Sequence, residues 1–242
     1  MSGDSNQATA KILKTGEISL EGEFVWGSNY TFLVNIQGEV ATFKAVYKPT
    51  RGERPLWDFP RASLAHREAA AYLVDHLLGW KQVPPTVYRN EAPFGPGSIQ
   101  HFIEHDPEYH FFNFTPQDVQ RLRPAVLFDF LINNADRKGS HLLVDPDQHI
   151  WLIDHGICFH EEDKLRTVIW DFAGTPIPEN LRTDLQNFYN RLNQDEKVRR
   201  RLARHLTARE ISSLTSRAEW LAQLTLFPHP PEHRRAQPWP PL

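Results

Sequence analysis

Residues 127–160 read LFDFLINNADRKGSHLLVDPDQHIWLIDHGICFH, and this segment is the most informative part of the sequence. An apolar run ends in Asn-Asn-Ala-Asp, and two short apolar runs follow, joined by the turn sequence Asp-Pro-Asp-Gln. Asp136, Lys138, His141 and Asp154 stand at the ends of these hydrophobic segments, where burying a charge is costly. We interpret the pattern as a functional site, against the simpler alternative that Asp136 caps a helix and Asp154 begins a turn.

The spacing within this stretch suits chemistry on phosphates. Asp136, Lys138 and His141 form the pattern D-x-K-x-x-H, and protein kinases use D-x-K-x-x-N, in which the aspartate accepts the proton of the substrate hydroxyl. The two apolar runs can fold as a hairpin that returns Asp154 to the neighbourhood of His141. A carboxylate at a strand end suits magnesium, which bridges the charges of a triphosphate. The stretch therefore predicts a site for a metal-bound nucleotide.

The residues before this stretch read as strands around one helix. GEISLEGEFV and YTFLVNIQGEVATFKAVYKP alternate apolar and polar positions, with a hairpin turn expected at Gln37-Gly38. A helix is predicted over residues 63–78, with Ser63 as its N-cap and Gly79 directly after its last turn. VPPTVYRN and GPGSIQHFIEH read as two further strands. The predicted order is strand, strand, strand, helix, strand, strand.

Several polar residues in this part extend the predicted site. Lys44 and Lys48 share one face of a strand, and a strand lysine that faces a cleft can neutralise nucleotide phosphates. We favour Lys48, which ends its strand before a proline. Glu68 on the helix could hold it by an ion pair, although a surface glutamate is the commoner outcome. The glycine turn before Ser28 and Asn29 can aim backbone N–H groups at phosphates, although a plain hairpin turn is the simpler interpretation.

Helices predominate after the fifth strand. Thr115 is expected to cap a helix that Pro124 kinks or splits, and Thr207 with Glu210 forms a capping-box pattern. Further helices are predicted in PENLRTDLQNFYNRLNQ, DEKVRRRLARHL and TAREISSLTSRAEWLAQLTLF. We therefore predict an α+β protein with three parts: a small mixed lobe (1–103), a mostly helical lobe (104–228) and a proline-rich tail (229–242).

Length and composition bound the class of protein. The 242 residues can bury a sizeable core, and the net charge of −3 gives no general attraction to nucleic acid or anionic lipid. Cys158 is the single cysteine, which excludes an internal disulfide and fits a reducing compartment. No apolar stretch is long enough to span a bilayer, and the first residues lack the apolar core of a signal peptide. We expect a cytoplasmic protein with no nucleic-acid partner and no stable membrane insertion.

These motifs together resemble a known superfamily. LINNADRKGSHLLV and WLIDHGICF resemble the catalytic and metal-binding segments of phosphatidylinositol 3-/4-kinases, particularly the type II 4-kinases. AVYKPTRGE resembles their lysine strand, and HREAAAYLVDHLLG resembles their first helix. The pattern is most similar to small bacterial proteins related to these kinases, and it spans roughly residues 17–175.

The resemblance implies a two-lobed, protein-kinase-like fold with a small antiparallel-sheet lobe, a mostly helical lobe and ATP between them. It implies Asp136 as the catalytic aspartate with Lys138 beside it, and His141 and Asp154 as ligands of Mg²⁺ or Mn²⁺. The residues that it places on the nucleotide are Lys48 with its partner Glu68, Ser28 and Asn29 over the phosphates, and the strap Gln100, His101 and Phe102 against adenine.

The chain departs from the family pattern at two points. His141 stands where these kinases usually carry asparagine, and imidazole suits manganese or zinc better than magnesium. Three roles therefore stay open for His141: binding a different metal, contacting phosphate directly, or leaving one metal site empty. The region after Gly156 is short for a loop that cradles a lipid headgroup or a peptide, so lipid kinase activity does not follow from the resemblance.

Four functions stay open on the sequence. The first is an ATP-dependent phosphotransferase acting on an unidentified hydroxyl of a protein, lipid headgroup or small molecule. The same fold could instead transfer AMP, or bind ATP without catalysis as a regulatory module. The fourth is a metal hydrolase with zinc on His141, Asp154, His155 and His160, although these residues lack the helical spacing of H-E-x-x-H.

Overall fold

Within the residues that the structure describes, 3–24 and 30–242, a five-stranded antiparallel sheet and two helices form the N-terminal part of the chain. This computed structural model gives the strand order β1-β2-β3-β5-β4, with β1 and β4 at the edges. The strands are β1 Glu17–Phe24, β2 Thr31–Gln37, β3 Thr42–Pro49, β4 Thr86–Arg89 and β5 Gly97–His101. The helices are α1 Gly3–Thr15 and α2 Leu64–Leu78. We call this part the N-lobe.

Alternation along β3 gives the sheet two different faces. Ala45 and Tyr47 are fully buried on one face, while Lys48 points from the other face towards α2. Helix α1 covers the first face, since Leu13 is buried in the same apolar cluster as Ala45, Tyr47 and Ile99. All five strands and α2 are predicted from the sequence, but α1 is not among the predicted elements.

Helix α2 begins and ends where the sequence predicts. Gly79 follows its last turn at φ +79°, a left-handed conformation that costs glycine little, and its N–H donates to the carbonyl of Asp75. At the other end, Ser63 precedes the helix, but its hydroxyl donates to the carbonyl of Pro60 instead of capping α2. The expected side-chain cap at Ser63 is therefore wrong, although the helix boundary is correct.

The C-terminal part, which we call the C-lobe, is mostly helical. Its helices are α3 Pro116–Gln120, α4 Arg123–Ile132, α5 Glu179–Gln194, α6 Glu196–Leu202 and α7 Ala208–Gln223. Pro124 lies in the first turn of α4, so the predicted helix is split there. Thr115 caps α3, and Thr207 with Glu210 forms a complete capping box on α7. These local predictions are confirmed.

A short hairpin lies against the C-lobe helices. It consists of β6 Leu142–Val144 and β7 Ile150–Leu152, with Leu143 opposite Trp151 in the antiparallel register. Leu143 and Trp151 pack with Ile103, which lies two residues after the last strand of the N-lobe sheet. The sheet ends at His101 and α3 begins at Pro116, so the predicted boundary at 103–104 falls in the connection between the lobes.

One apolar cluster joins α2 to the C-lobe helices, with Val74, Phe128, Phe188 and Leu214 almost fully buried in it.

The proline-rich tail lies against the C-lobe loops. The N–H of Gly139 donates to the carbonyl of Pro241, and the N–H of Thr167 donates to the carbonyl of Ala236. Among the helices of residues 3–24 and 30–242, none combines the length and the apolar character needed to cross a bilayer.

Candidate active site

Three charged residues from distant parts of the sequence meet between the lobes. Lys48 leaves β3 on the face opposite α1, and its Nζ lies 2.6 Å from Oε1 of Glu68 on α2. The same Nζ lies 3.1 Å from Oδ1 of Asp154, two residues after β7. Glu68 is buried, whereas about half of the Asp154 side chain is exposed. Lys48 and Asp154 therefore share one site, as the sequence motifs predict for a triphosphate-binding cleft.

The β6–β7 hairpin returns Asp154 to the neighbourhood of His141. Oδ2 of Asp154 lies 3.4 Å from Nε2 of His141, which directly precedes β6. Asp154 has φ +61°, a left-handed conformation that aspartate tolerates better than most residues. The next N–H, of His155, donates to Oε2 of Glu68 at 3.0 Å. Glu68 thus holds both Lys48 and the backbone beside Asp154.

The charges in this cluster stabilise one another. The Lys48 ammonium holds the pKa of the Asp154 carboxyl well below its usual range. Burial lowers the pKa of Lys48, but the carboxylates of Asp154 and Glu68 together outweigh it and leave that pKa raised. Burial lowers the pKa of His141 to about 4, so its imidazole is neutral near pH 7. A neutral imidazole and an ionised carboxylate can both serve as metal ligands.

Asp136 has the character of a base. Burial raises the pKa of its carboxyl to about 6, while the nearby Lys138 cation opposes that rise. Nζ of Lys138 lies 3.9 Å from Oδ2 of Asp136. The backbone N–H of Asp136 donates to Oδ1 of Asn134, which sets the position of the loop. A carboxylate with a raised pKa accepts a proton more readily than an ordinary aspartate does.

A buried arginine, absent from the predicted site residues, holds the site together. The guanidinium of Arg137 is completely buried, and it donates to both carboxylate oxygens of Asp129 at 3.1 Å. It also donates to the carbonyl of Ile153 and to Nε2 of His155. Arg137 therefore ties the loop of Asp136 to the segment that carries Asp154. The sequence does contain one signal for such a contact. Asp129 lies inside the apolar run LFDFLI, and a carboxylate buried there needs a charged or hydrogen-bonding partner.

The histidines proposed as zinc ligands have other partners. Because Nε2 of His155 accepts from Arg137, its proton resides on Nδ1, and burial holds the pKa of His155 well below the usual value. Nε2 of His160 bonds to the carbonyl of Asp58. Within residues 3–24 and 30–242, no group of three or more His, Cys, Asp or Glu is arranged to hold a metal ion. The contacts of His155 and His160 thus do not favour the hydrolase alternative.

The predicted adenine strap divides between the two faces of the sheet. Gln100 is buried, and its amide donates to the hydroxyl of Thr86. The ring of His101 packs edge-on against Phe43, on the face opposite Lys48, and its backbone N–H donates to the carbonyl of Pro85. The N–H of Phe102 donates to the carbonyl of Lys44. Contacts between this segment and adenine stay a prediction.

The remaining residues considered from the sequence are Ser28, Asn29 and Lys44. Ser28 and Asn29, expected over the phosphates, lie outside the described residues. Lys44, the lysine not chosen, forms an ion pair with Glu21 at 2.9 Å on an exposed part of the sheet. The structure thus brings Lys48, Glu68, His141 and Asp154 together, with Asp136 close enough to feel the charge of Asp154.

Comparison of the sequence with known proteins gives three related findings. The family model described as phosphatidylinositol 3- and 4-kinase matches residues 62–214. Protein Rv2133c of Mycobacterium tuberculosis is 35% identical over 264 residues, covering 95% of this chain and 94% of that protein. Phosphatidylinositol 4-kinase gamma 4 of Arabidopsis thaliana is 30% identical over 131 residues, which is 44% of this chain and 23% of that protein.

Comparison with solved structures finds the same fold in known kinases. A Golgi casein kinase solved with Mn and ADP bound superposes with a TM-score of 0.60 and 16% sequence identity. The match covers 92% of this chain and 75% of the kinase chain. At this identity the likeness establishes the fold alone, and it confirms the predicted two-lobed, protein-kinase-like α+β architecture.

Proposed function

The chain belongs to the phosphatidylinositol 3- and 4-kinase family, and we propose that it is a metal-dependent phosphotransferase that moves the γ-phosphate of ATP to a hydroxyl group. The family membership confirms the resemblance that the sequence motifs indicate. One observation carries the proposal: Nζ of Lys48 lies within 3.1 Å of carboxylates from both α2 and the segment after β7. A kinase needs this joint placement of a phosphate-binding lysine, its glutamate partner and a metal-binding aspartate.

The chain's own residues can divide the reaction between them. Lys48 presents a positive charge to the phosphates, and Glu68 keeps its side chain in position. Asp136 accepts the proton of the acceptor hydroxyl as the new O–P bond forms and the bond from the γ-phosphorus to the ADP oxygen breaks. The leaving ADP retains the electron pair of that broken bond. Lys138, beside Asp136, adds positive charge where the transferred phosphate passes.

The residues fit a divalent cation held with the nucleotide. Asp154 is ionised and His141 is neutral near pH 7, and their side chains face each other at 3.4 Å. Magnesium in kinases takes one or two protein ligands and completes its shell with water and phosphate oxygens, so a site with only these two side chains is sufficient. When bound, the metal supplies positive charge that offsets the charge of the triphosphate.

The experiment that tests the function follows phosphate from γ-labelled ATP, with Mg²⁺ or Mn²⁺, into the components of a cell lysate and into water. Lys48→Ala is expected to lower the rate by about 100-fold or more, because a preorganised charge at the phosphates is lost. Lys44→Ala is the matched control, since Lys44 leaves the same strand on the same face but pairs with exposed Glu21. Absence of labelling and of ATP consumption with both metals would refute the proposal.

The same experiment separates phosphate transfer from AMP transfer. A product labelled from the γ-phosphate shows phosphoryl transfer, whereas a product labelled only from the α-phosphate shows transfer of AMP. Mass spectrometry of the labelled product gives an independent answer, because the added masses differ greatly. The proposal expects the γ-label in the product.

A further inference from the structure

A second cavity lies beside helix α2, on a face of the helix different from the one that carries Glu68. Its volume is 680 Å³, which is in the size range of small-molecule sites. Its walls come from α1, α2, β4 and the end of α6. The N-lobe and the C-lobe therefore both contribute to it, and no residue assigned to the reaction lines it.

The charge of this cavity is one-sided. Lys11 and Lys14 on α1 line it, as do Arg201 in the last turn of α6 and Arg204, two residues after that helix ends. Among the side chains that the structure describes, those of residues 6–22 and 30–242, no aspartate or glutamate lines the cavity and none forms an ion pair with these four cations. Since the whole chain has a net charge of −3, four cations around one hollow are a local concentration of positive charge. Such a concentration favours an anionic occupant.

The floor of the cavity is flat and largely apolar. The ring of His66 stacks on Tyr88 with centroids 3.7 Å apart, and Nδ1 of His66 lies 3.3 Å from Nδ1 of His205. Buried Ala69 and Leu73 on α2 continue the surface. A ligand that fills the cavity therefore meets stacked rings below and cations at two sides.

We propose that this cavity binds a small anion with a flat apolar or aromatic body, and that binding there strengthens nucleotide binding. An anion between α1 and α6 offsets the repulsion of the four cations and joins the two lobes across α2. Because α2 carries Glu68, the ligand favours the arrangement in which Glu68 holds Lys48. The ligand class follows from the cavity alone, whereas the coupling to ATP rests on the proposed function.

The binding test uses 8-anilinonaphthalene-1-sulfonate, a fluorescent aromatic sulfonate, titrated into the intact protein. Arg201→Glu combined with Arg204→Glu is expected to weaken binding by about tenfold or more, since two attractions become repulsions. Lys197→Glu combined with Arg199→Glu is the matched control: the charge change is the same and both residues lie on α6 close to Arg201, but neither lines the cavity. The wild-type affinity is expected to persist in this control.

Two further measurements test the lysines of α1 and the effect of ATP on probe binding. Lys11→Glu combined with Lys14→Glu should weaken the probe similarly, which keeps the test valid if the α6 variant unfolds. Saturating ATP with Mg²⁺ should raise the affinity for the probe, because coupling between two sites is reciprocal. A probe bound in the ATP cleft would instead be displaced by ATP, so the sign of the effect distinguishes the two locations.

Several results would overturn the proposal. These are no saturable probe binding to the wild type, equal losses in the α6 variant and its control, and displacement of the probe by ATP. Binding of polyglutamate that depends on Arg201 and Arg204, without binding of the probe, would show a site for acidic peptides instead. If ATP fails to bind in a separate thermal-shift measurement, the proposed function fails while the charge-reversal comparison still decides the anion site.

Discussion

Asp136 is the residue whose proposed role can be tested most directly through pH. Burial raises the pKa of its carboxyl to about 6, and catalysis requires the ionised form. We expect kcat/KM for MgATP, which reports the ionisation of groups in the free enzyme, to be low in acid, to rise through about pH 6 and to level off above it. Asp136→Asn should remove this rise and leave a small rate that is independent of pH. A wild-type midpoint near that of an ordinary aspartate, about pH 4, would contradict the assignment.

His141 sets the expected metal preference. Its imidazole is neutral near pH 7 because burial lowers its pKa to about 4, so it can donate a lone pair to a metal. Imidazole suits manganese better than an amide oxygen does, and oxygen ligands suit magnesium. We predict that His141→Asn shifts the ratio of rates with Mg²⁺ and Mn²⁺ towards Mg²⁺ by about tenfold. Rates with each metal at saturating ATP measure it, and an unchanged ratio would show that His141 is not a ligand.

The exposed and the buried parts of this site differ in how far the sequence reveals them. Lys48 could be chosen over Lys44 because it ends its strand before a proline, and the structure pairs Lys48 with Glu68 but Lys44 with a surface carboxylate. Arg137 could not be assigned, because its partner Asp129 lies in a helix and their meeting depends on tertiary packing. Asp129 in an apolar run signals that a buried partner is needed, but the sequence does not show which residue that partner is.

At the scale of elements, helix α2 is attached to the C-lobe by a buried ion pair. The guanidinium of Arg67 donates to the carboxylate of Glu210 on α7 and to the carbonyl of Cys158. The side chain of Arg67 is 2% exposed and that of Glu210 is 9% exposed. Since Arg67 adjoins Glu68, this ion pair also holds the partner of Lys48 in place.

Removing one member of this buried ion pair should reduce the stability of the fold much more than breaking a surface ion pair does. We predict that Arg67→Met lowers the free energy of unfolding by about 3–5 kcal/mol, because the Glu210 carboxylate is left buried and unpaired. Arg200→Met breaks an exposed pair with Glu196 and should cost less than about 1 kcal/mol. Urea unfolding measures both free energies. Equal losses of stability would show that the buried ion pair stabilises the fold no more than the exposed one.

The double variant isolates the cause of the expected loss. Glu210 also accepts the N–H of Thr207 in the capping box of α7, and a glutamine retains this acceptor while removing the charge. Arg67→Met combined with Glu210→Gln should therefore be more stable than Arg67→Met alone. A double variant less stable than the single one would assign the loss to packing and not to the unpaired charge.

Helices whose ends are marked by capping residues could be predicted from the sequence, whereas helix α1 could not. Thr115, Thr207 and Gly79 mark helix ends through contacts within a few residues, which sequence patterns capture. Helix α1 depends on distant groups: Leu13 is buried against the sheet, and Arg89 on β4 donates to the carbonyl of Gly16 at 2.7 Å. Tertiary contacts of this kind leave no periodic pattern in thirteen mostly polar residues.

At the scale of the whole molecule, the proline-rich tail connects the loops around Asp136, the proposed catalytic aspartate. Its carbonyls accept the N–H of Gly139, three residues after Asp136, and the N–H of Thr167. A cavity of 580 Å³ is lined by tail residues together with Asp136 and the segment around Asp163. The sequence shows that these prolines exclude a helix but not where the tail lies, since its contacts are to groups more than 60 positions away.

Arg234 is the tail residue that should affect the reaction most. Its guanidinium donates to Oδ1 of Asp163 at 2.6 Å and to the carbonyl of Leu165, so it holds the segment that faces Asp136 across that cavity. We predict that Arg234→Ala lowers kcat by about tenfold, because small displacements of a catalytic arrangement are costly. The KM for ATP should change little, since Lys48, Glu68 and Asp154 lie away from the tail. The exposed neighbour His233→Ala supplies the control in steady-state kinetics, and equal rates for the two variants would show that the tail only covers the C-lobe.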